Sequence, residues 1–104
     1  MKKLASVITM GVLLGLSGAV LAAGDAAAGK AKASAVCAAC HGADGMSPAT
    51  FPLYPNLKGQ KAGYLIKQLK AFRDGTRTDP VMSSMAKPLT DADVENVSAY
   101  FSSL

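Results

Sequence analysis

Apolar residues run from about Leu4 to Val20, broken mainly by glycines and Ser17, and beyond Asp25 the pattern changes character. Residues 25 to 36 are rich in alanine and poor in breakers, which predicts a helix running straight into Cys37. Gly29 interrupts it at a cost of about 1 kcal/mol against alanine, so close packing on another helix is the expected reason. From Gly42 to Gly59 the helical period is lost, and Gly42, Gly45, Pro48, Pro52, Pro55 and Gly59 predict a long loop. So long a loop in a small domain is expected to wrap something. The helical pattern returns from about Lys61 to Asp74, with Tyr64, Leu65, Leu69 and Phe72 as its apolar stripe and Gly75 placed to stop it. Residues 76 to 89 read as loop, with Pro80 and Pro88 flanking Met82 and Met85. Thr90 then caps a last helix, whose first turn holds Asp91 and Asp93 and whose buried face is Val94, Val97, Tyr100 and Phe101. Three main helices, long loops and almost no strand signal predict an all-α fold.

The first segment is expected to lie outside that fold. Lys2 and Lys3 precede the first apolar run, and small residues at Ala22 and Ala23 follow it, which is the pattern of an export signal. Cleavage after Ala22 or after Ala23 fits equally well. The run is near the lower length for spanning a bilayer and ends in small residues before Gly24-Asp25, so no membrane anchor is expected to remain. The expected organisation is a cleaved signal peptide over 1–22 and one domain over 23–104, located in the periplasm. Removing 22 of the 104 residues leaves 82, a size at which a core is marginal without a staple.

Candidate chemistry is concentrated in one place. Both cysteines and the single histidine fall in Cys37-Ala38-Ala39-Cys40-His41, a CxxCH pentapeptide. Two thiols three positions apart can each add to a vinyl group of one haem, and the adjacent histidine can then ligate the iron, which makes this the attachment signal for haem c. A zinc site wants four Cys or His ligands, and the chain has three. A thioredoxin-like redox pair wants a βαβ setting that the pattern lacks. One covalently bound haem c, attached through Cys37 and Cys40, is therefore the expected cofactor and staple. The formal charge of +4 falls to +2 without Lys2 and Lys3, and two haem propionates would bring it near zero. No nucleic-acid partner is expected from such a balance.

With His41 on one face of the iron, the other face needs a different donor, because the chain has no second histidine. Methionine sulfur is the available soft ligand. Met46 lies five residues after His41 and is tethered to the same side, whereas Met82 and Met85 lie far along the chain between prolines. The chain resembles a small class I cytochrome c over nearly its whole length after the signal. The likeness rests on Gly29 eight positions before CxxCH, on Pro55-Asn56-Leu57-Lys58-Gly59, and on a methionine loop before a capped last helix. Tyr54, Tyr64, Gln68-Leu69, Phe72-Arg73-Asp74-Gly75 and Arg77 make it similar to single halves of dihaem bacterial cytochromes c.

The resemblance implies several further things. Met82, eight residues before Thr90, would be the iron ligand, with Met85 as the alternative. The Pro55 carbonyl would accept the Nδ1–H of His41, Gly29 would let the first helix cross Val97 and Tyr100, and Arg73, Arg77 and Gln60 would reach the propionates. With both faces occupied, the expected function is a soluble periplasmic one-electron carrier rather than an enzyme. Its expected partners are electron-donor and electron-acceptor redox proteins that dock transiently on a monomer. The competing readings are a haem sensor or peroxidase-like protein with an open distal site, and a subunit of a larger enzyme.

Overall fold

The computed structural model describes residues 24–48 and 54–104, so the segment over 1–22 lies outside the described residues. Among the described residues the structure is all-α: α1 (Ala26–Val36), α2 (Ala38–His41), α3 (Ala62–Asp74), α4 (Met82–Ala86) and α5 (Asp91–Ser102). No helix among them is long and apolar enough to cross a membrane.

Asp25 starts α1 by accepting the N–H groups of Ala27 at 2.9 Å and Ala28 at 3.2 Å, two of the amides that a helix start leaves unpaired. The residues α1 buries are small, Gly29 and Ala33, and this lets it lie unusually close to α5. A Cβ at Gly29 would collide with the carbonyl of Asn96 and stand 3.0 Å from the Cβ of Tyr100. The glycine therefore serves the crossing expected of it, but the partner of closest approach is the Asn96 backbone rather than Val97. The Asn96 side chain also accepts the Asp25 N–H at 2.8 Å, so one residue fixes both the depth and the register of the crossing.

α3 ends at Gly75, whose φ of 89° is in the left-handed region and whose N–H returns to the Ala71 carbonyl at 3.0 Å. Leu65 and Phe72 are buried and Leu69 is partly so. Tyr64 is 51 % exposed, contrary to the expected stripe. At 100° per residue Leu65, Leu69 and Phe72 fall within about 60° of one another, and Tyr64 lies about 80° outside that arc.

α5 is the central element, packed on α1 and α3. Its start is a capping box: Thr90 Oγ1 accepts the Asp93 N–H and the Asp93 carboxylate accepts the Thr90 N–H, each at 3.0 Å. Replacing Thr90 by alanine is expected to cost about 1 kcal/mol, read as a lower denaturant midpoint at unchanged slope. The Thr90 N–H also holds the Asp93 carboxyl below the usual carboxylate range. Because that folded value is depressed, its contribution is present above the ordinary carboxylate pKa and is lost as pH falls through the lower folded value. Val94, Val97, Tyr100 and Phe101 are buried as expected, and Ser98 joins them. Ala33, Leu65, Val97, Tyr100 and Phe101 form one core cluster.

The loop after α2 is sewn to α5. The Tyr100 hydroxyl donates to the Ala43 carbonyl at 2.9 Å, and the Gly59 N–H donates to the Phe101 carbonyl at 2.8 Å. Between them, the Gly45 carbonyl accepts from Leu57 and Lys58. The second loop is not continuous, because residues 82–86 form the short α4 against α3. Five residues are too few for a hydrophobic period to show. The readable signal was Asp79-Pro80, a capping acid followed by a proline suited to a helix start.

Candidate functional site

Cys37 sits at the break between α1 and α2, still held by its N–H to the Ala33 carbonyl at 2.8 Å. The chain then makes one turn, with the N–H groups of Cys40 and His41 returning to the Cys37 carbonyl at 3.3 and 3.0 Å. Spacings of three and four residues in a helical turn put Cys37, Cys40 and His41 on one face. Gly42 ends the turn at a φ of 86°, pressed on the Met46 carbonyl so closely that no side chain fits there. The two cysteines are half-buried and not bonded to each other. Burial pushes the Cys37 thiol up, with Lys32 opposing.

His41 is buried at 6 % exposure. Its Nδ1 is 2.8 Å from the Pro55 carbonyl oxygen. A carbonyl can only accept, so Nδ1 carries the proton and the Nε2 lone pair is left for a metal. The two residues are 14 apart and meet through the loop, in the pairing that the resemblance implied.

Cys37, Cys40, His41 and Pro55 line a cavity of about 720 Å³, a volume within the range of small-molecule and cofactor sites. Most of the wall is apolar, from Leu57, Leu65, Leu69, Phe72, Val97 and Phe101. Met82 and Met85 both enter it from α4. Met82 is partly buried, Met85 is 36 % exposed, and Met46 is exposed and outside the lining. Arg77 and Gln60 reach the wall. Arg73 does not: it is held by Asp91 at 2.8 Å and donates to the Leu89 carbonyl at 3.2 Å. Arg73 thus ties α3 to the start of α5.

The residues fit a covalently held haem. The donors are two unpaired thiols one turn apart, a histidine nitrogen of fixed tautomer and thioether sulfurs on a separate element. No group of three His, Cys, Asp or Glu among the described residues is arranged to hold a bare metal ion. The wall also contains the fully buried Ser98 hydroxyl, whose oxygen has no hydrogen-bond partner among the described residues. Such a group is costly in apolar surroundings without a partner. Ser98 follows Val94 by four residues on the buried face of α5, so helical spacing could have found it.

The comparisons with known proteins agree with this geometry. The family model described as "Cytochrome c" matches residues 26–104. Cytochrome c4 of Pseudomonas aeruginosa is 51 % identical over 96 residues, covering 92 % of this chain and 46 % of that protein. Cytochrome c-554(548) of Halomonas halodenitrificans is 50 % identical over 84 residues, covering 78 % of this chain and 98 % of that one. A protein of Thiomonas intermedia named thiosulfate dehydrogenase electron acceptor is 43 % identical over 105 residues, covering 100 % of this chain and 45 % of that protein. The crystal structure of reduced cytochrome c4 from Pseudomonas stutzeri superposes with a TM-score of 0.70 at 48 % identity, over 78 % of this chain and 46 % of that one. The chain thus spans about half the length of the cytochromes c4 it matches, and resembles a single half of them.

Proposed function

The chain belongs to the cytochrome c family and binds one haem c covalently, and on that premise we propose that it is a one-electron carrier. In this reading Cys37 and Cys40 hold the haem, and His41 and Met82 ligate its iron. The observation that carries the reading is that a tautomer-fixed His41 and Met82 line one largely apolar cavity. When bound, the haem supplies reversible one-electron exchange between Fe(II) and Fe(III).

Everything else falls to the chain. The Pro55 carbonyl holds the His41 ring in one orientation and strengthens it as a donor. The Met82 thioether serves as the second donor, a ligand type that raises the potential. Leu65, Leu69, Phe72 and Phe101 keep water from the cavity, and their low polarity disfavours the additional charge of the oxidised state. Tyr64, Val81 and Met85 are exposed where they border the cavity, so a partner touching this rim would come close to the haem. A small rim of this kind suits the weak interfaces of redox encounters.

The donor we propose is a membrane complex or a dehydrogenase, the latter in keeping with the name of the Thiomonas intermedia relative, and the acceptor a terminal oxidase or reductase. We also place the protein in the periplasm as a monomer, with residues 1–22 removed as a signal and 23–104 forming the cytochrome c domain.

A redox titration of the purified holoprotein followed by its spectrum tests the assignment. One wave is expected, at about 59 mV per tenfold change in the ratio of the two forms, with little carbon monoxide uptake by the ferrous protein. Rapid carbon monoxide binding, with no near-infrared sulfur–iron band in the ferric form, would instead mean an open distal position and a sensor or peroxidase-like role.

A further inference from the structure

We propose that Asp79 is the positioning residue that holds Met82 in register as the iron ligand, an inference that rests on the His41/Met82 reading above. α4 has five residues, too few for a helix to sustain itself. Methionine adds flexible side-chain torsions of its own. Something outside α4 must therefore decide where the sulfur stands.

Asp79 meets that need. One oxygen of its carboxylate accepts the N–H of Val81 at 2.9 Å and that of Met82 at 2.8 Å. Its own N–H donates to the Ser83 hydroxyl at 2.9 Å, and its carbonyl accepts the Ser83 N–H at 3.0 Å. The turn carrying Met82 is thus closed on Asp79 from both sides.

The turn is also tied to the body of the fold. Two residues before Asp79, the Arg77 guanidinium donates to Gln68 at 2.7 Å and stacks 4.5 Å from the centre of the Phe72 ring. Both partners belong to α3, so Asp79 leaves a fixed point. The consequence is selection between two sulfurs. Met82 and Met85 are three residues apart, share one side of the turn and line the same cavity. Without the Asp79 bonds the first turn can unwind or slip, and Met82 loses the advantage that its fixed backbone gives it.

The test compares ferric holoprotein variants by the sulfur–iron band and by affinity for added imidazole, which competes with the methionine for iron. Asp79→Ala is expected to weaken the band and to bind imidazole about tenfold more tightly, equal to about 1.4 kcal/mol. Asp79→Asn keeps one oxygen able to accept both amides, so it should stay within about twofold of the unaltered protein. Thr90→Ala removes a cap of similar worth from α5 and should leave imidazole affinity unchanged, which separates positioning of the ligand from general loss of stability. Imidazole affinity of Asp79→Ala equal to that of the unaltered protein would overturn the proposal. A band absent from the unaltered protein would instead show that the ligand reading itself had failed, and the role of Asp79 with it.

Discussion

Met82→Ala is expected to abolish the near-infrared sulfur–iron band of the ferric protein and to lower its reduction potential on the order of 0.2 V. That figure is a fraction of the ~0.8 V over which axial ligands set haem potentials. Thioether sulfur favours the reduced iron, and alanine leaves the position to water or to no donor. Met85→Ala should leave the band in place and change the potential little, because Met85 is the more exposed of the two sulfurs. Both variants retain CxxCH and His41, so covalent haem content should be unaltered and serves as the internal control. A band surviving in Met82→Ala and lost in Met85→Ala would move the ligand by one turn. A band surviving in both would move it off α4 altogether.

Gly29→Ala carries the second large effect, and its sign is the informative part. In an exposed helix the exchange of glycine for alanine stabilises by up to about 1 kcal/mol. Here the added methyl group would meet the Asn96 carbonyl, a backbone group that cannot rotate away, with Tyr100 Cβ directly behind it. Relief requires α1 to move off α5. That movement strains the hydrogen bond between the Asp25 N–H and Asn96 and opens the contact of Ala33 with Val97 and Tyr100. Overpacking of this kind costs on the order of 3 kcal/mol. For a domain of this size the melting temperature should fall by about 12–24 °C. Gly29→Val should prevent stable folding of the holoprotein. A melting temperature equal to or above that of the unaltered protein for Gly29→Ala would mean that the crossing is looser than the structure has it.

Much of the fold was legible because its signals are local. Thr90 is a capping residue in front of a helical pattern, and Gly75 is a stop signal behind one. Both stand where a chain read residue by residue places them, whereas Asp25, read as the first residue of its helix, is the cap in front of it. The apolar positions of α5 repeat with the helical period and are buried accordingly. The short α4 shows no period over five residues, and its one local mark is Asp79-Pro80 in front of it. Tyr64 shows a different failure. It is apolar enough to join a stripe, yet a rotation of about 80° separates it from Phe72, and that is enough to leave it exposed at the cavity rim.

The candidate site divides in the same way. CxxCH is readable because covalent attachment needs two thiols and a histidine within five consecutive residues, and that requirement is written into adjacent positions. The bond between His41 and Pro55 and the turn of Arg73 toward Asp91 join residues far apart in the chain. Spacing alone does not specify them. Arg73 and Arg77 are four residues apart and alike in charge and length. One ties α3 to α5 and the other holds the methionine loop, because the end of α3 at Gly75 sends the chain away between them.

By itself, the sequence determined the three longer helices, the cap at Thr90 and the stop at Gly75, the close approach at Gly29 and the chemistry of a covalent haem. Each of these depends on residue type and on spacing within one or two turns. Only the tertiary structure decided what surrounds that chemistry: how the loop brings the Pro55 carbonyl to His41, which residues wall the cavity and which of two methionines is held by a capped turn. Those outcomes depend on how three helices cross and where two loops return, and such contacts are set by packing between segments that carry no mark of one another.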